Sequence, residues 1–117
     1  MRTTSTTSAS LHFDYGKKCV PLNRITHFRS QFGNYTKVFL TENQTYLSSF
    51  TLKHYSGLLE DSEIFFQPRK GFIVNKSFVK GFREQADGLM VVLKNGESIK
   101  VSRRKTEAVL LELTQMD

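Results

Sequence analysis

A chain of 117 residues fits one domain with a single modest core. Apolar residues make up 38% of it and Phe alone accounts for ten, which supports a folded domain with a large polar surface rather than a disordered chain. Apolar runs stay well short of the roughly 20 residues that span a bilayer, and the single cysteine, Cys19, excludes an intramolecular disulfide and fits a reducing compartment such as the cytoplasm.

Residues 1–10 are rich in Ser and Thr, with one Arg and no apolar centre. They read as a flexible tail or linker remnant rather than a secretory signal, so the folded domain is expected to span residues 11–117. From Leu11 onward the pattern is of short strand-like runs separated by turn residues. Arg24-Ile25-Thr26-His27-Phe28-Arg29 alternates apolar and polar side chains, with Ile25 and His27 expected to face opposite ways. Tyr35-Thr36-Lys37-Val38-Phe39-Leu40 is β-branched and aromatic; Thr41-Glu42-Asn43 makes a hairpin turn, and residues 44–50 return. Residues 51–60 change period: Leu52, Tyr55, Leu58 and Leu59 fall on one helical face, capped by Thr51 or Ser49, with Gly57 weakening the later half. Ile64-Phe65-Phe66-Gln67 reads as a buried strand stopped by Pro68.

The last third is expected to hold strands over residues 78–83, 89–93 and 98–101. Asn95-Gly96 joins the second to the third as a turn in which both central residues need φ > 0. Ser102 offers a helix N-cap, and Ala108, Val109, Leu111 and Leu113 belong to a short closing helix. The class is therefore mainly β: an elongated antiparallel sandwich of small sheets with about two short helices.

The three histidines, His12, His27 and His54, have no metal-ligand spacing and no acidic partner at a set offset. Cys19 reads as a small packed thiol rather than a nucleophile. There is neither a Gly-rich phosphate loop nor a Gly-x-Ser-x-Gly elbow. No enzyme, cofactor or metal is expected on these grounds.

Charge points elsewhere. Residues 64–105 hold ten cations and three acids, a net +7, whereas the whole chain sums to +6. A cationic excess confined to one stretch is the footprint of a polyanion-binding face. Gln67-Pro68-Arg69-Lys70-Gly71 puts two cations on a loop after a buried strand, and Lys76 follows shortly. Val101-Ser102-Arg103-Arg104-Lys105 puts three where a strand hands over to a helix. Free N–H groups at a helix start suit phosphate. A cation there has a small unfavourable interaction with the helix dipole, which favours a functional reason for the run.

Three segments in order carry a family resemblance. Gly33-Asn34-Tyr35-Thr36-Lys37-Val38 is similar to a Gly-Asn-Tyr loop followed by aliphatics. Phe66-Gln67-Pro68-Arg69-Lys70-Gly71-Phe72-Ile73-Val74-Asn75 is similar, with one spacer fewer, to a Phe-x-x-x-His-Arg-Ser-Tyr-Ile-Val-Asn stretch. Leu93-Lys94-Asn95-Gly96, continuing to Val101-Ser102-Arg103-Arg104, is similar to a closing Leu-x-Asp-Gly and Val-Ser-Arg-Arg. Over about four-fifths of its length the chain resembles the LytTR DNA-binding domain, the output domain of a class of bacterial response regulators. The resemblance implies small packed antiparallel sheets whose loops, rather than a recognition helix, enter successive major grooves of double-stranded DNA. It implies DNA contacts from Asn34 and Tyr35 with Lys37 beside them, from Arg69 and Lys70 with Lys76 nearby, and from Arg103, Arg104 and Lys105. It also implies paired direct repeats as the binding-site arrangement, and a receiver domain or sensor-kinase pathway upstream.

The family's His-Arg-Ser is Arg69-Lys70-Gly71 here. Charge is kept, but Lys lacks the planar fork of Arg, and Gly71 removes a hydroxyl donor. A receiver domain does not precede the motif, so the chain reads either as part of a longer response regulator or as a free-standing cytoplasmic one. The expected function is sequence-specific DNA binding in bacterial transcription regulation. The alternatives are a protein-interaction module on the same scaffold that has lost DNA readout, and an RNA-binding β-domain.

Overall fold

The computed structural model describes residues 10–13 and 17–114. Strand β1 (Ser10–Phe13) pairs antiparallel with β2 (Lys18–Pro21). Ser10 thus already belongs to a strand, while positions 1–9 of the expected tail lie outside the described residues. A 3-10 turn, Leu22–Arg24, leads into β3 (Ile25–Gln31), β4 (Tyr35–Leu40) and β5 (Thr45–Ser48). Helix α1 (Leu52–Leu58) precedes β6 (Phe65–Phe66) and β7 (Phe72–Asn75). After a second 3-10 turn, Lys76–Phe78, come β8 (Val79–Gln85), β9 (Gly88–Leu93) and β10 (Ser98–Lys100). A third 3-10 turn, Arg103–Lys105, opens into helix α2 (Thr106–Thr114).

The result is mainly β, as the alternating runs lead one to expect: three small antiparallel sheets and two helices. The central sheet has five strands in the order β5-β4-β3-β7-β6, and β8, β9 and β10 form a separate sheet. Overall extents of 45 × 42 × 26 Å make a slab drawn out along two axes.

Both faces of the central sheet are covered, and adjacent residues of β7 show it. Ile73 packs with Phe13, Val20, Phe28 and Tyr55 beneath the β1–β2 hairpin and α1. Val74 packs with Val91, Ile99, Val101 and Val109 beneath the second sheet and α2. Successive side chains of a strand point to opposite faces, so a run such as Phe72-Ile73-Val74 serves two cores at once.

A bulge decides what β3 buries. Ile25 pairs with Leu40 but His27 with Phe39, so two steps along β3 match one along β4. In a regular strand Ile25 and His27 would share a face. The extra residue, Thr26, turns them to opposite sides, as the sequence reading expected but for a reason absent from its alternation. Ile25 joins the first core, and His27 stacks flat on Phe39 with ring centroids 4.1 Å apart.

Two turns exchange the roles expected of them. Asn95 is not among the positive-φ residues, and Gly96 alone takes φ 94. Gly96 N–H donates to Leu93 O at 2.9 Å and Glu97 N–H to Asn95 Oδ1 at 2.8 Å, closing a three-residue connection. The mirror-image turn sits instead between β4 and β5, where Glu42 and Asn43 have φ 64 and 60. Helix α1 begins as expected, with Thr51 Oγ1 accepting from His54 N–H at 3.3 Å. Leu52, Tyr55 and Leu59 are buried, whereas Leu58 is exposed. Ser102 sits at the cap of the 3-10 turn without a side-chain cap bond. Cys19, expected as a packed thiol, is exposed on β2 opposite His12.

Candidate nucleic-acid interface

Three short segments meet at one end of the central sheet. The loop of residues 67–71, between β6 and β7, stands in the middle. Its Gly71 carbonyl accepts from Ser30 N–H at 2.8 Å, which fixes it beside the β3–β4 turn at residues 32–34. Its Pro68 carbonyl accepts from Ser102 N–H at 3.0 Å, and its Gln67 carbonyl accepts from Lys105 Nζ at 3.1 Å. These two bonds fix it beside the 3-10 turn that leads into α2. Gly71 has φ 96, a conformation that L side chains rarely adopt, so glycine rather than the family's serine suits this backbone.

Most of the site residues expected from sequence therefore converge. Asn34 and Tyr35 are exposed at the β3–β4 turn, Arg69 and Lys70 on the central loop, and Arg103 and Arg104 on the 3-10 turn. Two others are differently placed. Lys105 is half-buried with its ammonium on the Gln67 carbonyl, so it ties two of the segments together. Lys76 lies at the opposite end of β7, where its ammonium pairs with Glu112. Its sequence proximity to the loop is undone by the run of β7.

Lys37 is half-buried on β4, and its cross-strand neighbour is Arg29 on β3. Like charges directly opposite one another on a sheet repel. Both lie 5.2 Å from the centre of the Phe39 ring, whose π face offsets part of that repulsion. Arg29 also faces Phe72 across β7, and Arg69 lies over the same Phe72 ring at 5.9 Å. A row of three cations thus runs from the loop across the sheet. Arg29 escaped the sequence reading because it falls outside the cationic stretch, and only strand pairing reveals its place.

Sequence reasoning also missed Lys53 and Phe32. Lys53 of α1 lines a crevice of about 380 Å³ with Ser30, Gly33, Lys70 and Gly71. Phe32 stands 78% exposed at the β3–β4 turn with φ 54. The signal for Phe32 was its position directly before Gly33-Asn34, where a turn favours a polar residue.

Away from these loops, His27 joins the two larger sheets. Its Nδ1 lies 3.1 Å from Thr26 Oγ1, and its Nε2, without a hydrogen-bond partner, is 3.7 Å from Glu97 Oε1. Burial pushes its pKa below the ordinary 6.5; Glu97 opposes that shift, and Arg29 adds to it.

The model of the LytTr DNA-binding domain family matches residues 15–113. Among solved structures, the chain is similar to the LytTr DNA-binding domain of a putative methyl-accepting/DNA response regulator from Bacillus cereus. The TM-score is 0.69 at 21% identity, covering 92% of this chain and 96% of that one, a likeness of fold. No curated protein matches. With nearly its whole described length inside the family model, and with the sheets and loops that the three motifs led one to expect, the chain belongs to the LytTR DNA-binding domain family.

Proposed function

We propose that this chain binds double-stranded DNA in a sequence-specific way, as a transcription regulator whose loops enter major grooves. The observation that carries the reading is the tying of three polar or cationic segments into one rigid edge, by Gly71 to Ser30, Pro68 to Ser102 and Gln67 to Lys105. Rigid placement is what base readout needs, because a misplaced donor reads nothing. Arg104 is the base reader, its guanidinium presenting a fork that matches guanine O6 and N7. Arg69, Lys70 and Arg103 hold phosphates, and Asn34 and Tyr35 contact the duplex from the neighbouring turn. Lys105 acts by positioning the central loop, and Lys76 by holding α2. Lys37 serves through the sheet row it shares with Arg29.

The family supports DNA binding in regulation. The finer picture, with paired direct repeats as the target and a receiver domain or sensor kinase upstream in a bacterial cytoplasm, belongs to this proposal. Among the described residues no helix is long and apolar enough to cross a membrane.

The test is the salt dependence of binding to duplex DNA. Neutralising about four phosphates should give a slope near −4 in log affinity against log salt. Competition by single strands should be weaker than by duplex. A flat salt dependence on every duplex would overturn the proposal.

A further inference from the structure

The β3–β4 turn breaks local turn chemistry at an exposed aromatic residue. Phe32 takes φ 54. Bulky residues avoid that region, which turns normally fill with Gly, Asn or Asp. The same chain follows the rule at Gly33 and at Asn43; Glu42, the other departure at φ 64, is a polar side chain, whereas Phe32 is apolar and aromatic. The Phe32 ring is also the most exposed large apolar side chain among the described residues, at 78%. Its aromatic neighbour is Tyr35, edge-on at 6.4 Å. An asparagine at this position would relieve both the backbone conformation and the exposed ring. A residue unfavourable on both counts, at the tip of a ligand-facing turn, marks a contact made only in the complex.

The surroundings narrow the partner. Gly33 and Asn34 follow the ring in sequence, and Lys70 and Lys53 line the crevice at the base of the same turn. The partner must therefore offer an apolar feature set among negative charges. A DNA major groove does so, because the C5-methyl of thymine projects between two rows of phosphates. We propose that Phe32 packs on a thymine methyl in the major groove and adds base preference to the β3–β4 turn. The inference rests on the DNA-binding reading above. Its energetic character differs from that of the cations: it is apolar, specific to one base and independent of salt.

The experiment uses the full chain and a duplex that it selects from a random library. Each thymine is replaced in turn by deoxyuridine, which removes the methyl and little else. Wild type should lose about fourfold in affinity at one thymine. Phe32→Asn should bind the parent duplex more weakly and be indifferent to that same replacement. Its salt slope should equal that of wild type, since no charge has changed. Its melting temperature should be equal or higher. Phe32→Leu, still apolar, should retain part of the methyl dependence. Three outcomes overturn the inference: a Phe32→Asn variant that binds like wild type, one that keeps the full deoxyuridine penalty, or a wild type that depends on Phe32 with no methyl-sensitive thymine. The last would indicate a wedge between base steps or contact with a protein. Failure of wild type to bind any duplex would instead sink the DNA reading, and this inference with it.

Discussion

At one end of the central sheet, the segments 32–34, 67–71 and 102–105 carry Arg69, Lys70, Arg103, Arg104 and Lys105 and no acid. At the other end, 41–44, 60–64 and 94–97 carry Glu42, Glu60, Asp61, Glu63 and Glu97 with a single cation, Lys94. The two ends are also fastened differently. Loop-end ties are half-buried bonds to main-chain carbonyls, such as Lys105 to Gln67 at 3.1 Å. The main far-end tie is fully buried. Asn75 has no exposed surface, and its amide donates to Ile25 O at 2.8 Å while its carbonyl accepts from Ser77 N–H at 2.8 Å. The comparison separates two duties of one sheet. Its far end secures the layers to each other, and its loop end presents charge that has no counterpart within the three segments.

Asn75 gives the largest effect that would sharpen this division. Asn75→Ala removes a buried donor and a turn cap together, leaving Ile25 O and Ser77 N–H without that partner. The cost should be about 2–4 kcal/mol of folding stability. Chemical denaturation measures it directly. DNA affinity per folded molecule should be unchanged. A variant that melts like wild type but binds DNA poorly would dissolve the distinction between the two ends.

Arg104 gives the converse. Its side chain is exposed, so Arg104→Ala should leave melting within about 0.5 kcal/mol of wild type. Binding to the preferred duplex should fall by roughly 1–3 kcal/mol, with preference lost at one base pair. Lys105→Ala should weaken both the preferred and a scrambled duplex without abolishing preference at any single base pair, because its ammonium positions the loop of the phosphate-holding Arg69 and Lys70 rather than touching a base. Titrating both variants on both duplexes compares them. Equal, sequence-independent losses would make Arg104 one more member of a diffuse cationic face.

How much of this was legible in the sequence follows from the range of the forces involved. Strand β4 was read to the residue, since a β-branched and aromatic run ended by a turn is a local signal. The three converging segments were visible as motifs, because each is continuous in the chain. The β1–β2 hairpin was not singled out: unlike β10, which the Asn95-Gly96 turn flags, its four-residue strands have too few periods to count on their own. The bulge at Thr26 left no mark either, because the extra residue is an ordinary β-former and only pairing with β4 exposes it. At Asn95-Gly96 the residue pair was right and the geometry was not, because the Asn95 side chain takes the Glu97 N–H and lengthens the connection. Lys76 was grouped with the loop by sequence distance, though four residues of strand carry it to the far end.

The smallest effect in the series comes from His27, at the junction of the two larger sheets, and appears only on acidification. Thr26 Oγ1 donates to Phe39 O at 3.0 Å, so it accepts from His27 Nδ1–H at 3.1 Å. In the neutral ring Nε2 then carries a lone pair, facing Glu97 Oε1 at 3.7 Å. Protonation would create an ion pair there but would also place a charge in a site with no exposed surface. Desolvation outweighs the Glu97 attraction, and Arg29 opposes the proton further, so the folded pKa lies below 6.5. The unfolded chain binds the proton first as pH falls. Stability contributed by neutral His27 is therefore full above the ordinary histidine pKa and is lost as pH drops from there to the lower folded value. Denaturation midpoints between about pH 8 and pH 5 should show this decline. Glu97→Gln removes the one attraction that favours the proton, so the decline should continue to lower pH. His27→Phe, which keeps an aromatic ring against Phe39, should flatten it. A decline identical in all three proteins would assign the acid sensitivity to other groups. A raised His27 pKa in an NMR titration would reverse the sign and make Glu97 the dominant neighbour. In either case DNA affinity extrapolated to the folded protein should stay constant, because the junction lies at the far end from Arg104.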